Sequence, residues 1–167
     1  MKDKTFTTCG TPEYMAPELV SHAGHDKGVD YWALGCLIYE MVAGVTPFLA
    51  GDEYETFDAI LKGKLYFTTE FESKECKDLI SKLCQVRAVK RLGCGANGTK
   101  TVMNHAFYKD INFADLEKKI IVPPFVPDIR GPGDTSYFPK LPKQNMDDLK
   151  QGKELDIDEL DNEFSSY

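Results

Sequence analysis

Two histidines, His22 and His25, stand three positions apart, a spacing that metal ligands often share. A zinc site takes three or four protein ligands, and no third ligand lies nearby in the sequence. A histidine pair alone does not supply that coordination. The sequence therefore predicts no metal site.

Residues 93–98 (GCGANG) fit the spacing G-x-G-x-x-G of phosphate-binding loops. In that motif a β-strand precedes the glycines, so that backbone N–H groups point at the phosphate. Here the glycines follow a run of helical type at residues 79–86. We therefore interpret the segment as a loop that ends a helix and predict no nucleotide-binding role for it.

The element that should position any site is the apolar stretch at residues 29–44. Its apolar residues occupy every side of a helical wheel, which predicts a helix enclosed by protein. It is too short for a bilayer, which takes about 20 apolar residues. Asp30 either caps this helix or, if buried, holds a neighbouring loop. Glu40 is either a solvated position or, if buried, a carboxylate that needs a partner.

Two amphipathic helices should follow the central one. The first covers residues 52–61 and ends at Lys62 and Gly63, while the second begins near Ser73. The second helix has one apolar face, formed by Cys76, Leu79, Ile80, Leu83 and Cys84.

The remaining segments are less regular. Residues 1–17 read as a loop that enters a short helix, and residues 101–107 as one more short helix. From residue 121 onward, prolines favour an extended arm. No strand-rich region appears, so the predicted fold class is mainly α.

The charge is unevenly placed along the 167 residues, which carry a net charge of -7. Residues 144–167 contain eight acidic residues and two lysines, so this acidic end reads as a tail. Nucleic-acid-binding surfaces are basic, and we therefore expect no nucleic-acid partner.

Five cysteines are spread along the chain without any C-x-x-C pair. An odd number of scattered cysteines is typical of free thiols in a reducing compartment. The chain does not open on an apolar targeting segment. We expect a cytoplasmic protein without a membrane span.

Four segments in one order carry a resemblance to a known family. They are residues 7–18 (TTCGTPEYMAPE), 30–35 (DYWALG), 90–93 (KRLG) and 131–136 (GPGDTS). The first ends in the A-P-E triplet that closes the activation segment of protein kinases. The chain resembles the C-terminal lobe and tail of an AGC-group serine/threonine kinase, and among these the cyclic-nucleotide-dependent kinases, with the cyclic-AMP type favoured and the cyclic-GMP type as the alternative.

This resemblance implies a fold and three structural residues. Residues 1–120 would form a partial kinase large lobe from the activation segment onward, and residues 121–167 an extended C-terminal tail. The apolar stretch would be the central buried helix, with Asp30 holding the backbone of the catalytic loop. Glu18 and Arg91 would form the buried ion pair that fixes the activation segment, since a guanidinium binds a carboxylate through two hydrogen bonds.

The resemblance also implies residues that act on the substrate. Thr7 matches the activation-loop phosphosite, with Thr5 and Thr8 as rivals. Thr11 matches the threonine that supports the catalytic Asp. The pocket for the substrate residue that follows the acceptor hydroxyl would be formed by Thr8, Pro12 and Met15. Glu40, and Glu13 as a possible second carboxylate, would bind substrate arginines.

Several aromatic residues match contact positions of the family. Phe138 would close over the adenine of ATP. Phe6 and Phe57 would dock a cyclic-nucleotide-binding regulatory subunit, although ordinary helix packing is the favoured explanation of Phe57. The ending at residues 164–167 resembles the terminal F-x-x-F that binds the small lobe.

Phosphoryl transfer also needs a glycine-rich lid, a phosphate-binding lysine, the base of H-R-D and the metal ligand of D-F-G. None of these motifs occurs in the sequence. We therefore expect a kinase fragment that binds neither ATP nor Mg²⁺ alone and is inactive alone. The alternative is a non-catalytic module that binds a regulatory subunit or an upstream kinase.

Overall fold

A computed structural model describes residues 4–139 of the chain. Its α-helices are α1 (Pro17–Val20), α2 (Gly28–Ala43), α3 (Glu53–Lys62), α4 (Lys74–Leu83), α5 (Thr99–Met103) and α6 (Phe113–Glu117). Short 3-10 helices lie at Pro12–Tyr14, Ala88–Lys90 and Ala106–Tyr108. Two compact units divide after Ile121. The fold is mainly α, and within the described part no helix is long and apolar enough to cross a membrane.

Helix α2 forms the centre of the first unit and packs mainly against α4. Trp32 and Cys36 on α2 are fully buried, and Trp32 stacks on Phe48 with ring centroids 5.0 Å apart. The close approach of the two helices depends on Gly35, since a Cβ there would lie 2.6 Å from Cys84 Sγ. The helix ends at Gly44, which adopts φ 74° and donates its N–H to the Glu40 carbonyl.

One side of α2 is not enclosed by the residues that the structure describes, whereas the opposite side is buried. Leu37, Met41 and Val42 are 43%, 70% and 37% exposed. The apolar sequence pattern shows that this side tolerates burial. Within residues 4–139, however, neighbouring residues cover only the opposite side. Large apolar side chains left exposed forgo about 1.5–3 kcal/mol each relative to full burial.

The start of α2 also differs from the prediction. Asp30 does not cap the helix: it is exposed, and its side chain makes no hydrogen bond to a described residue. The carboxylate that meets the helix start belongs to Asp26, whose Oδ1 accepts the Gly28 N–H at 2.8 Å. An acid two residues before the first helical N–H can reach it, whereas Asp30 lies two residues after that N–H, inside the helix.

Helices α3 and α4 begin and end where their sequence signals place them. Asp52 accepts the Glu55 N–H, and Ser73 accepts the Cys76 N–H, so both N-caps are formed by side chains. Gly63 ends α3 in the left-handed region, with φ 61°. The predicted apolar face of α4 is buried along its whole length. The pKa of the Cys84 thiol is raised, mainly by a hydrogen bond with Cys36 and to a smaller extent by burial.

Two local predictions near the end of the first unit are wrong. Residues 101–107 do not form one helix, because α5 ends at Met103 and His105 caps a separate 3-10 helix by accepting the Phe107 N–H. Helix α6 was missed. Its five residues are too few to show a periodic pattern, although Asn112 caps it by accepting two backbone N–H groups.

In the second unit, residues 122–139 contain no helix and form a turn around one carboxylate. Asp134 accepts the N–H of Arg130 at 2.9 Å and that of Ser136 at 2.8 Å. The ring of Tyr137 lies edge-on to Phe125, and the Tyr137 hydroxyl accepts the Asp128 N–H. The rest of the predicted tail, residues 140–167, lies outside the described residues.

A buried ion pair fixes α1 to the segment that follows α4. Arg91 Nη1 and Nη2 lie 2.7 Å and 2.9 Å from the two carboxylate oxygens of Glu18, which is the predicted pairing. Arg91 also donates to the carbonyls of Gly28 and Gln85. The guanidinium is 2% exposed, so all of its charge is compensated by protein groups.

We expect Glu18→Ala to lower the free energy of unfolding by about 3 kcal/mol or more, because it leaves a buried guanidinium without its counterion. Urea unfolding followed by helical circular dichroism measures this. The control is Asp58→Ala, which breaks the exposed Lys62–Asp58 pair and should change stability by less than about 1 kcal/mol. Equal effects of the two substitutions would contradict a structural role for the buried pair.

We also expect a local acid transition in the turn of the second unit. The N–H groups of Arg130 and Ser136 lower the pKa of Asp134 from its ordinary value of 3.8. The turn is therefore stabilised above that pH and loses this stabilisation as the pH falls through the lowered pKa. The amide chemical shifts of Arg130 and Ser136 should report it in an NMR titration, and Asp134→Asn should abolish the step. A step centred at or above pH 3.8 would contradict the prediction.

Candidate functional site

The loop that carries the predicted phosphosite is held against the loop before α2. Thr5 and His25 exchange both backbone hydrogen bonds, at 3.0 Å and 2.9 Å. Their side chains also meet, with Thr5 Oγ1 2.8 Å from His25 Nε2, and Thr8 Oγ1 lies 3.0 Å from His22 Nδ1. The two histidines thus bind threonine hydroxyls, and nowhere in residues 4–139 do three potential metal ligands gather.

Thr7 lies between these two anchored threonines and is exposed. Its hydroxyl makes no hydrogen bond to a described residue, whereas those of Thr5 and Thr8 are both engaged. Of these three threonines, Thr7 alone has a hydroxyl without a hydrogen-bond partner among the described residues.

The two acidic residues predicted to bind arginine are held from one short helix. In the 3-10 helix Pro12–Tyr14, the Tyr14 hydroxyl donates to Glu40 Oε2 on α2. The preceding residue, Glu13, accepts from the Thr46 hydroxyl at 2.6 Å through its Oε2. Both carboxylates are half-buried. Glu13 and Glu40 are brought near each other because Glu13 is followed directly by Tyr14, the partner of Glu40, and not because the two carboxylates touch.

The partners of both carboxylates are uncharged hydroxyls. Neither Glu13 nor Glu40 forms a salt bridge with any residue in the described part of the chain. Each carboxylate therefore has no counter-cation among the described residues and keeps acceptor capacity beyond the hydroxyl bond. A guanidinium or ammonium group from another molecule is the ligand that such an arrangement suits.

The residues predicted to form the pocket after the acceptor hydroxyl are only partly brought together. Met15 is buried and borders an open cavity of about 200 Å³, together with Thr11 and Asp30. Thr8 and Pro12 lie outside the lining of that cavity. Thr11 is exposed, and its side chain does not cap the 3-10 helix that follows it.

The predicted aromatic contact residues occupy different environments. Phe6 is 68% exposed and lies against the backbone of Gly24, where an added Cβ would come within 2.8 Å of its ring. Phe57 is half-buried and packs against the core, as ordinary helix packing requires. In the second unit, Phe138 is 71% exposed. The predicted contact at residues 164–167 lies outside the described residues.

Sequence reasoning missed the side chains that hold the site residues. Tyr14, the partner of Glu40, lies within the quoted motif, but nothing in its spacing points to a residue 26 positions away. Thr46, the partner of Glu13, follows a helix-ending glycine and resembles any turn residue. The two histidines have a metal-like spacing, from which no metal site is predicted, and that spacing did not reveal their hydrogen bonds to threonines.

Comparison with known proteins gives a consistent picture. A model of the protein kinase domain matches residues 1–108. A Caenorhabditis elegans "cAMP-dependent protein kinase, catalytic subunit-like" is 45% identical over 138 residues, which cover 83% of this chain and 34% of the relative. The human "cAMP-dependent protein kinase catalytic subunit PRKX" is 38% identical over 156 residues, covering 93% of this chain and 43% of that protein.

A cyclic-GMP-dependent relative matches nearly as well. The Drosophila melanogaster "cGMP-dependent protein kinase, isozyme 1" is 40% identical over 140 residues, which cover 83% of this chain and 18% of the relative. The chain thus spans less than half the length of each of these relatives. The chain belongs to the protein kinase family, and within it resembles the cyclic-AMP-dependent serine/threonine kinases of the AGC group.

Proposed function

We propose that this chain is the substrate-binding part of a serine/threonine protein kinase that transfers the γ-phosphate of ATP to Ser or Thr in arginine-rich proteins. The observation that carries the proposal is the pair of half-buried carboxylates, Glu13 and Glu40, each bound by a neutral hydroxyl. Fixed anions without counterions among the described residues suit the planar guanidinium, which donates two hydrogen bonds to one carboxylate.

The chemistry of transfer would come from other parts of the enzyme. The family holds ATP and Mg²⁺ with a glycine-rich loop, a lysine, the Asp of D-F-G and the catalytic-loop Asn, and it uses the Asp of H-R-D as the base. This sequence does not contain these segments. Thr11 and Asp30, on the cavity lined also by Met15, would support the catalytic loop there. Phe138 would contact adenine. Alone, the chain should bind neither ATP nor Mg²⁺ and transfer no phosphate.

Partners follow from the same reading. The names of the relatives support a cyclic-nucleotide-binding regulatory subunit, for which the exposed ring of Phe6 offers a contact. An upstream kinase would act at Thr7. Five cysteines without a disulfide among them fit a cytoplasmic location.

We expect Glu40→Gln to raise KM for an arginine-rich peptide about tenfold while changing kcat little. The amide still accepts the Tyr14 hydroxyl but no longer attracts a guanidinium. The assay uses a chimera, in which this chain replaces the matching segment of the Caenorhabditis elegans relative. The matched control is Glu53→Gln, an exposed acid in the first turn of α3.

The same measurement with a peptide whose arginines are replaced by alanine should show no effect of Glu40→Gln. An equal rise in KM for both peptides would mean that Glu40 does not recognise arginine. A chimera that binds a regulatory subunit but transfers no phosphate to any peptide would favour the alternative, a non-catalytic interaction module.

We expect phosphate on Thr7 rather than on Thr5 or Thr8 when the chimera is incubated with ATP, Mg²⁺ and an upstream activating kinase. The reason is that the Thr7 hydroxyl is exposed and not hydrogen-bonded, while its rivals are bound by histidines. Mass spectrometry of the loop peptide locates the modification. Thr7→Ala should remove it and Thr5→Val should not. Phosphate found mainly on Thr5 or Thr8 would contradict this assignment.

A further inference from the structure

Thr46 is a buried polar residue whose hydroxyl serves a half-buried acid. It is 6% exposed and lies in the turn after α2, two residues before Phe48, which is 2% exposed and stacks on Trp32. Its Oγ1 donates to Glu13 Oε2 at 2.6 Å. The hydroxyl is therefore presented from a packed part of the core, while the carboxylate it holds belongs to a short 3-10 helix.

The physical effect of this bond is to fix the direction of a flexible side chain. Glutamate has three rotatable bonds, and ordering it on binding costs free energy that a pre-formed contact removes in advance. Threonine is branched at Cβ and stiff at χ1, and its burial restricts it further. Thr46 can therefore hold one oxygen of Glu13 in a single place.

The choice of a hydroxyl also preserves the charge. A lysine or arginine at this position would orient Glu13 equally well but would neutralise it. Hydroxyl donation leaves the negative charge and the second oxygen, Oε1, available. This combination of fixed position and uncompensated charge is what recognition of an external cation requires.

We propose that Thr46 is a positioning residue that presents Glu13 to a basic side chain of the protein substrate, separately from the site at Glu40. The inference rests on the proposed function, because it assumes that the carboxylates bind arginine. Glu40 is held by a separate hydrogen bond from Tyr14. Loss of the Thr46 hydroxyl should therefore affect the Glu13 subsite alone.

The test compares Thr46→Val and Thr46→Ser in the chimera, assayed with an arginine-rich peptide and its single arginine-to-alanine variants. Valine keeps the shape and removes the hydroxyl, whereas serine keeps the hydroxyl. We expect Thr46→Val to raise KM about fivefold, the effect of one lost hydrogen bond, without changing kcat. Thr46→Ser should retain the original KM.

The peptide variants identify the arginine that Glu13 binds. When that arginine is replaced by alanine, Glu13→Gln should no longer change KM. Thr46→Val should lose its effect on that same peptide, and it should add nothing in a Glu13→Gln background. The effect of Glu40→Gln should persist on that peptide.

The outcomes separate the two levels of inference. If neither Glu13→Gln nor Glu40→Gln changes KM for any arginine peptide, the proposed function fails. If Glu13→Gln raises KM but Thr46→Val does not, or if Thr46→Val lowers kcat alike for every peptide, the positioning role of Thr46 is wrong and the proposed function stands.

Discussion

The arrangement of the first unit depends on the ion pair between Arg91 and Glu18, which joins positions 73 residues apart. Arg91 binds both oxygens of Glu18, the Gly28 carbonyl at the start of α2 and the Gln85 carbonyl just beyond α4, and its guanidinium lies 5.3 Å from the Trp32 ring centre. One buried cation thus connects α1, the start of the central helix and the segment just beyond α4. Because such a charge cannot remain buried without partners, these segments must come together at once.

The site residues use this frame. The 3-10 helix Pro12–Tyr14 lies shortly before Glu18, so the ion pair limits where that helix can be. From there Tyr14 reaches α2 at Glu40, and Glu13 reaches the turn after α2 at Thr46. Two consecutive side chains of the 3-10 helix are therefore hydrogen-bonded to the C-terminal part of α2 and to the turn that follows it. A short helix without a cap of its own gains a defined orientation in this way.

The limits of the longer helices could be predicted from the sequence. Contacts between residues far apart in the chain were predicted only through a family motif or were missed. The limits of α3 and α4 follow from Asp52, Gly63 and Ser73, since capping and helix termination are decided by neighbours in the chain. Glu18 and Arg91 could be paired only through a family resemblance. Tyr14 and Thr46 gave no signal, because a hydroxyl in a motif or turn has many possible partners. The apolar pattern of α2 could not show which side is exposed, since helical periodicity reports what tolerates burial and not what covers it.

The charges of the first unit are treated in two different ways, and the difference separates structure from function. Arg91, 2% exposed, has a carboxylate and two carbonyls around it, so its charge is spent entirely within the chain. Glu13 and Glu40 are only half-buried and receive hydroxyls, which orient a carboxylate without cancelling it. A stability role alone would be served better by a cationic partner or an apolar substitute. Orienting a carboxylate with an uncharged hydroxyl is the arrangement expected when the carboxylate binds a cationic group of another molecule.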